Sequence, residues 1–257
     1  MDSGVMTVNI ADALHDCLPQ FINVEEPERI DFIVFGGEPL QDESFLTECV
    51  LHLLRQGHES GYSTKIISNG IGLAPQVTKL KGLLDVIQIT IDGPEEVHRS
   101  RRRLPNGENS FSPVVEGISR AAEAGIRVNI RINIDDANLA HLPELAEFIV
   151  HQGWQETGLV RPHLAPVKNH NTNRDSPCES TLLRRVIDLF RQDKRMALFD
   201  LKGFPGIKYF LGFKESGLFS LHRFFNCEAQ IGFYAFDLHG DVYACWDAAG
   251  LKEHRVG

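Results

Sequence analysis

The sequence predicts an α/β fold: a parallel sheet of βα units, bent into an incomplete barrel that lacks its first strand, with a short C-terminal β-hairpin extension. Three observations predict it. Short β-branched runs alternate with amphipathic stretches at helical spacing, the pattern of crossover units rather than of hairpins. The series opens on a helix, so the strand that should precede it is missing. The last residues change character, to two short runs around a tight polar turn.

A chain of 257 residues suits one such domain with a small appendage. Hydrophobic residues make up 42% and charged residues 24%, the balance of a globular chain rather than a disordered one. Net charge is −9, which argues against nucleic acid held by a broad basic surface; the cluster Arg99-Ser100-Arg101-Arg102-Arg103 is local. The longest apolar runs, such as Ile30–Phe35 and Val86–Ile91, are far too short to span a bilayer, so no membrane partner is expected. No basic segment leads into an apolar stretch near Met1, and the five cysteines are an odd count. A reducing, cytoplasmic setting is therefore expected, without a disulfide framework.

Thr7 reads as the N-cap of a helix over Val8–Phe21, with Ile10, Leu14 and Leu18 on one face. Ile30–Phe35 is a buried-strand run ending at Gly36-Gly37-Glu38-Pro39. A helix follows from Asp42 to Gln56, then a strand over Lys65–Ser68 closed by Asn69-Gly70. Gln76–Leu83 reads as a helix and Val86–Ile91 as a strand ending at Asp92-Gly93-Pro94, after which a polar, basic loop runs to Ser110. Phe111–Ala124 is a helix with Gly125 just past its end. Ile126–Ile134 is the next strand, Leu142–Gln152 the next helix, and Leu159–Leu164 a further strand despite Pro162. A loop rich in Asn, Asp and Pro occupies Pro166–Ser180. A helix over Thr181–Leu198 and an irregular aromatic stretch over Gly203–Ser220 complete the main domain, 1–220. Residues 221–257 form the appendage: Ile231–Asp237, the turn Leu238-His239-Gly240-Asp241, and Val242–Cys245.

Ligand sites in parallel α/β folds gather at the C-terminal edge of the strands. Gly36-Gly37-Glu38-Pro39 stands at that edge. Its glycines let a ligand approach the backbone, and a carboxylate beside them can accept hydrogen bonds from an ammonium group. A plain Gly-rich turn before a helix has the same composition, so the residues alone leave both readings open. Ser68-Asn69-Gly70 is a common turn sequence. In Arg127–Ile134 polar and apolar residues alternate, which places Arg131 and Asn133 either toward a barrel interior or on the outer face. Cys227, Gly240 and Cys245 frame the predicted hairpin; two thiolates so placed are either soft metal ligands or buried core residues. Cys17 and Cys49 lie on predicted helices and are most simply core residues, and Cys178 is isolated. The eleven histidines make no zinc-binding spacing, and no P-loop or G-x-G-x-x-G is present.

In combination these segments resemble the radical S-adenosylmethionine (SAM) enzymes, in particular the subgroup with a SPASM-type C-terminal extension. Gly36-Gly37-Glu38-Pro39-Leu40 looks like the family's GGEP motif, which implies that Gly36, Gly37, Glu38 and Pro39 bind the amino group of the methionine half of SAM. Ser68-Asn69-Gly70 is similar to the family's T-N-G and implies that Ser68 and Asn69 line the same cavity. Thr90-Ile91-Asp92-Gly93-Pro94 with His98 is similar to the subgroup's S-(L/I/M)-D-G-P-x-x-x-H segment. It implies that Thr90 reaches the SAM ribose in place of serine and that Asp92 belongs to the site. It also implies that Arg102, four residues after His98, pairs with the SAM carboxylate. The neighbouring Arg99, Arg101 and Arg103 are expected to be solvated. Asn106-Gly107 through Ser110-Phe111 fits the family's N-G-x-x-(S/T)-F. The resemblance further implies Leu164 as an apolar contact to adenine, and the alternation in Arg127–Ile134 adds Asn133 as a candidate cofactor-binding residue. Cys227, Gly240 and Cys245 fit the SPASM opening C-x(9–15)-G-x4-C, which implies Cys227 and Cys245 as ligands of an auxiliary iron–sulfur cluster.

The implied fold is a (β/α)6-type partial TIM barrel. The implied cofactors are SAM and a [4Fe–4S] cluster, and the implied partners are a peptide or protein substrate and a reductant protein. The family holds its reactive cluster with C-x3-C-x2-C, and no three cysteines here have that spacing. A fragment, a degenerate homologue and a partner chain that supplies the cluster all account for this. The fragment is the expectation, because both ends fall inside expected family elements. Loss of the first strand also leaves Ile30–Phe35 as an exposed apolar edge. For the intact protein the resemblance implies reductive cleavage of SAM to a 5′-deoxyadenosyl radical, which takes hydrogen from a peptide or protein. The chain alone is expected to be inactive as a radical enzyme. The alternative is a non-catalytic module that holds SAM or a peptide. A hydrolase or sugar enzyme on a barrel has no acid/base pair here to support it.

Overall fold

The computed structural model describes residues 6–22, 29–41, 45–104, 107–167, 179–216 and 232–257. At its centre is a five-stranded sheet in the order β1-β2-β3-β4-β5, parallel throughout. The strands are β1 (Asp31–Val34), β2 (Ser63–Ser68), β3 (Val86–Thr90), β4 (Arg127–Ile134) and β5 (Val160–Pro166). The predicted alternation therefore gives the predicted sheet, and no closed barrel forms among the described residues. Pro162 is tolerated because its carbonyl faces the outer side of β5, where it accepts from the Asp200 amide at 3.0 Å. The proline's missing N–H falls on that same side, away from β4.

The helices are α1 (Val8–Cys17), α2 (Phe45–Glu59), α3 (Leu73–Leu80), α4 (Glu95–Arg101), α5 (Phe111–Glu123), α6 (Leu142–His151), α7 (Glu179–Gln192) and α8 (Pro205–Ser216). Thr7 caps α1 as predicted, its hydroxyl accepting from the Ile10 amide at 3.3 Å. That helix ends sooner than predicted: Pro19 lacks an amide to extend the ladder, and a 3-10 turn covers Leu18–Phe21. α3 starts before Gln76 and stops at Leu80, because the backbone turns extended at Lys81. Where a polar loop was expected after Pro94, α4 forms. Glu95 and Glu96 occupy its first turn and Arg99 and Arg101 its last, so both ends match the helix dipole. α8 likewise replaces the irregular stretch expected after Gly203, with Pro205 pre-set for a first helical position. Gly125 follows α5 with φ +88°, the left-handed ending expected of it.

One face of the sheet is apolar. Ile66, Ile87, Ile89, Val128, Ile130, Ile132 and Leu164 pack there with Leu54, Leu73, Leu80, Ile118, Leu145 and Ile149 of the helices into a single core. Right-handed crossovers between sequential neighbours place the helices on one side, so the other face is left without them. That concave face is polar: Lys65, Gln88, Thr90, Asn129, Arg131, Asn133 and His163 are half-buried on it. The alternation in β4, open to two readings from sequence, thus turns Arg131 and Asn133 to the interior. The predicted C-terminal hairpin is present as β6 (Ala235–Phe236) and β7 (Val242–Tyr243), antiparallel. Trp246 docks the extension on the end of β1, its ring 4.4 Å from that of Phe35.

Candidate functional site

The predicted residues meet in two groups along the C-terminal edge of the sheet. The first lies after β1 and β2. Glu38 Oε1 accepts from Ser68 Oγ at 2.5 Å and from the Leu40 amide at 3.1 Å, and Oε2 accepts from the Asn69 amide at 2.6 Å. Ser68 Oγ in turn accepts from the Gly70 amide at 2.9 Å, and Asn69 Oδ1 accepts from the Ile71 amide at 2.9 Å. The carboxylate therefore staples two strand ends together. Gly36 and Gly37 precede it with φ +106° and +45°, and a side chain built at either would meet nothing within 4 Å. Left-handed backbone beside open space is what a ligand approaching the main chain requires. Pro39 continues the turn into Leu40, which is 1% exposed.

The second group lies after β3 and β4. Asp92 is 3% exposed; its Oδ2 accepts from Arg102 Nε at 2.9 Å and its Oδ1 from the Asn133 amide at 2.9 Å. Asn138, wholly buried, donates to the carbonyls of Asp92 and Asn133 at 2.6 and 2.9 Å. Arg101 was expected to be solvated, and here the structure corrects the reading. Its Nη1 reaches both Asp135 carboxylate oxygens at 3.0 and 2.9 Å, and its Nε is buried 3.8 Å from Asp92 Oδ2. Asp135 follows β4, so only the fold brings the pair together. A cavity of about 670 Å³ opens here, lined by Asp92, Arg101, Arg102, Arg131, Asn133, Pro166, Val167 and Asp247. Thr90 pairs with Arg131 across the sheet, on the same face. Leu164 is not brought to this cavity; its side chain is wholly buried in the helix-side core. Arg131, Asn138 and Asp247 carried no sequence signal of their own beyond the alternation in β4.

His98 holds the turn that follows β3 in the second group. Its Nδ1 accepts from the Asp92 amide at 3.4 Å, and burial pushes the ring down to about 4, with Asp92 opposing and Arg102 reinforcing the shift. Of the two proposed metal ligands, Cys245 lies on the extension beside Trp246, and Cys227 lies outside the described residues.

A family model for the Radical SAM superfamily matches residues 15–149, more than half of the chain, and the chain belongs to that superfamily. It is 26% identical to pre-heme d1 synthase of Dinoroseobacter shibae over 161 residues, covering 61% of this chain and 37% of that protein. It is 23% identical to the cysteine-type anaerobic sulfatase-maturating enzyme of Clostridium novyi over 269 aligned positions, covering 99% of this chain and 67% of that enzyme. The chain thus spans about a third of the first relative and two thirds of the second. Among solved structures, its fold matches native anSMEcpe with bound AdoMet at a TM-score of 0.72 and 17% identity, over 100% of this chain and 70% of that one. The same enzyme with AdoMet and a Kp18Cys peptide matches at 0.69 and 16%, with the same coverage.

The superfamily implies SAM and an iron–sulfur cluster, and the residues answer differently for each. The cradle over Gly36 and Gly37, the fixed Glu38 carboxylate and the polar cavity at Arg102 fit SAM. Among the described residues, no three His, Cys, Asp or Glu side chains stand together as a metal site. The Cys49 thiol is buried, and burial followed by the charge of Glu48 pushes it up, away from the thiolate a cluster needs. The described residues therefore do not fit a cluster.

Proposed function

We propose that this chain is the SAM-binding part of a SPASM-type radical SAM enzyme that modifies a peptide or protein. Residues 1–220 are its barrel core and 221–257 the start of its extension. The observation that carries this reading is the Glu38 carboxylate, fixed at the strand edge by Ser68 and Asn69 beside open left-handed glycine backbone. In this reading Glu38 and the Gly36–Pro39 backbone hold the SAM ammonium group, and Ser68 and Asn69 orient that carboxylate. Thr90 donates to the ribose, Asp92 positions Arg102 through its Nε, and the Arg102 Nη atoms receive the SAM carboxylate. Asn133 closes the wall, and Leu164 contributes through its strand alone. In the intact enzyme, SAM would supply a 5′-deoxyadenosyl radical, with methionine as the other product, on taking one electron that starts from a reductant protein. The peptide bound to anSMEcpe supports a peptide or protein as substrate, and the reducing chemistry supports a cytoplasmic setting.

The chain alone binds SAM without cleaving it. The separation of Cys17, Cys49 and Cys245 favours this, and it equally favours the second reading, a module that holds SAM with no redox chemistry. Equilibrium dialysis of SAM against the chain, before and after anaerobic treatment with iron and sulfide, tests both. We expect binding that Glu38→Gln weakens about 10- to 100-fold, the loss of one charge-assisted contact of about 1.5–3 kcal/mol. We expect no 5′-deoxyadenosine on adding reductant. Absence of SAM binding overturns the reading, and 5′-deoxyadenosine from this chain overturns the claim that it is inactive alone.

A further inference from the structure

On the concave face, Thr90, Arg131 and His163 form one row across β3, β4 and β5. Arg131 is half-buried, and its Nε is fixed to Asn133 Oδ1 at 2.8 Å. No hydrogen bond or ion pair among the described residues engages its two Nη atoms. The two carboxylates whose charges act on this row are committed elsewhere. Asp92 accepts from Arg102 and from the Asn133 amide, and Asp200 Oδ1 accepts from the Lys202 amide at 2.7 Å. Burial, with Arg102 adding and Asp92 opposing, pushes the Arg131 guanidinium down. Burial and then the Arg131 charge push His163 down against Asp200, and its ring shares the row with the guanidinium. Neither Nη atom of Arg131 is both buried and without a partner, so the fork meets solvent at the cavity and stands open to an acceptor that a ligand brings. Its planar fork matches a carboxylate, and it faces the cavity of about 670 Å³.

We infer that Arg131, with His163 beside it, receives a carboxylate of the peptide substrate, so that the site selects acidic peptides. This rests on the proposed peptide-modifying function. Within that reading Arg102 already serves the SAM carboxylate, which leaves Arg131 for the substrate.

The test uses the 257-residue chain and the peptides Ac-Gly-Glu-Gly-NH2 and Ac-Gly-Gln-Gly-NH2. Binding is followed by NMR of the arginine Nε–H signals, with and without SAM. The Glu peptide should bind about tenfold more tightly than the Gln peptide, the share of one charge-assisted contact. Arg131→Gln should erase that preference and Arg131→Lys keep part of it. His163→Gln, a milder change, should reduce the preference by about threefold and serves if Arg131→Gln fails to fold by circular dichroism. Equal affinity for the two peptides overturns the inference. So does a tenfold loss of SAM affinity in Arg131→Gln with the preference intact, which would assign Arg131 to the cofactor. A chain that binds no SAM but still prefers the Glu peptide through Arg131 keeps this inference and overturns the proposed cofactor instead.

Discussion

His98 is 1% exposed and accepts a backbone N–H at Nδ1, so protonation at that nitrogen removes the bond that closes the turn at Asp92. Its folded value of about 4 lies below the ordinary 6.5. The unfolded chain therefore takes up the proton first. The stability tied to the neutral ring is full above pH 6.5 and is lost as pH falls from there toward 4, by at most about 3 kcal/mol. Urea unfolding midpoints should decline across that window, and His98→Phe should flatten the decline; an equally steep decline in the variant would refute this role. The sequence offered His98 only as a spacing mark within a motif. Glu38, Ser68 and Asn69 were legible because each belongs to a short segment whose turn chemistry is local. Arg101 was misjudged, and Asn138 unnoticed, because their partners Asp135, Asp92 and Asn133 come from other strand ends, and no local pattern encodes such pairs.

Among the elements, the turn after β1 and the start of α3 are locked together. A methyl group at Gly72 would stand 1.9 Å from the Leu40 carbonyl oxygen, which also accepts from Gln76 Nε2 at 3.2 Å. Gly72→Ala must push the Leu40 backbone away, at a cost of about 1–3 kcal/mol in thermal or urea unfolding. Because Leu40 is two residues from Glu38, the same variant should weaken SAM binding; unaltered stability and binding would show that the contact is slack. Strand positions were readable from their β-branched runs, which leave few alternatives. Helix ends were not: α3 is set by where the backbone turns at Lys81, and α4 by charges at its termini that in sequence look like a basic loop.

For the molecule as a whole, the sheet divides labour between its faces. Ile130 is wholly buried on the helix side, while its neighbour Asn129 sits half-buried on the concave side. Ile130→Ala should cost about 2–5 kcal/mol through the cavity it leaves. Asn129→Ala should stay within about 0.5 kcal/mol; comparable losses from the two variants would mean that the concave face also carries stability. The parallel topology followed directly from the alternation of elements, whereas the orientation of β4 could not, since a period of two fits either face.

The concave polar surface has a consequence for how this protein can change over generations. Packing against the helices falls to one residue in two along each central strand, and in the proposed function the residues between are the ones that face a ligand. A lineage can rewrite the second set while leaving the first untouched, without passing through unfolded ancestors. In that reading the choice of ligand is its most readily altered property, and its architecture the least.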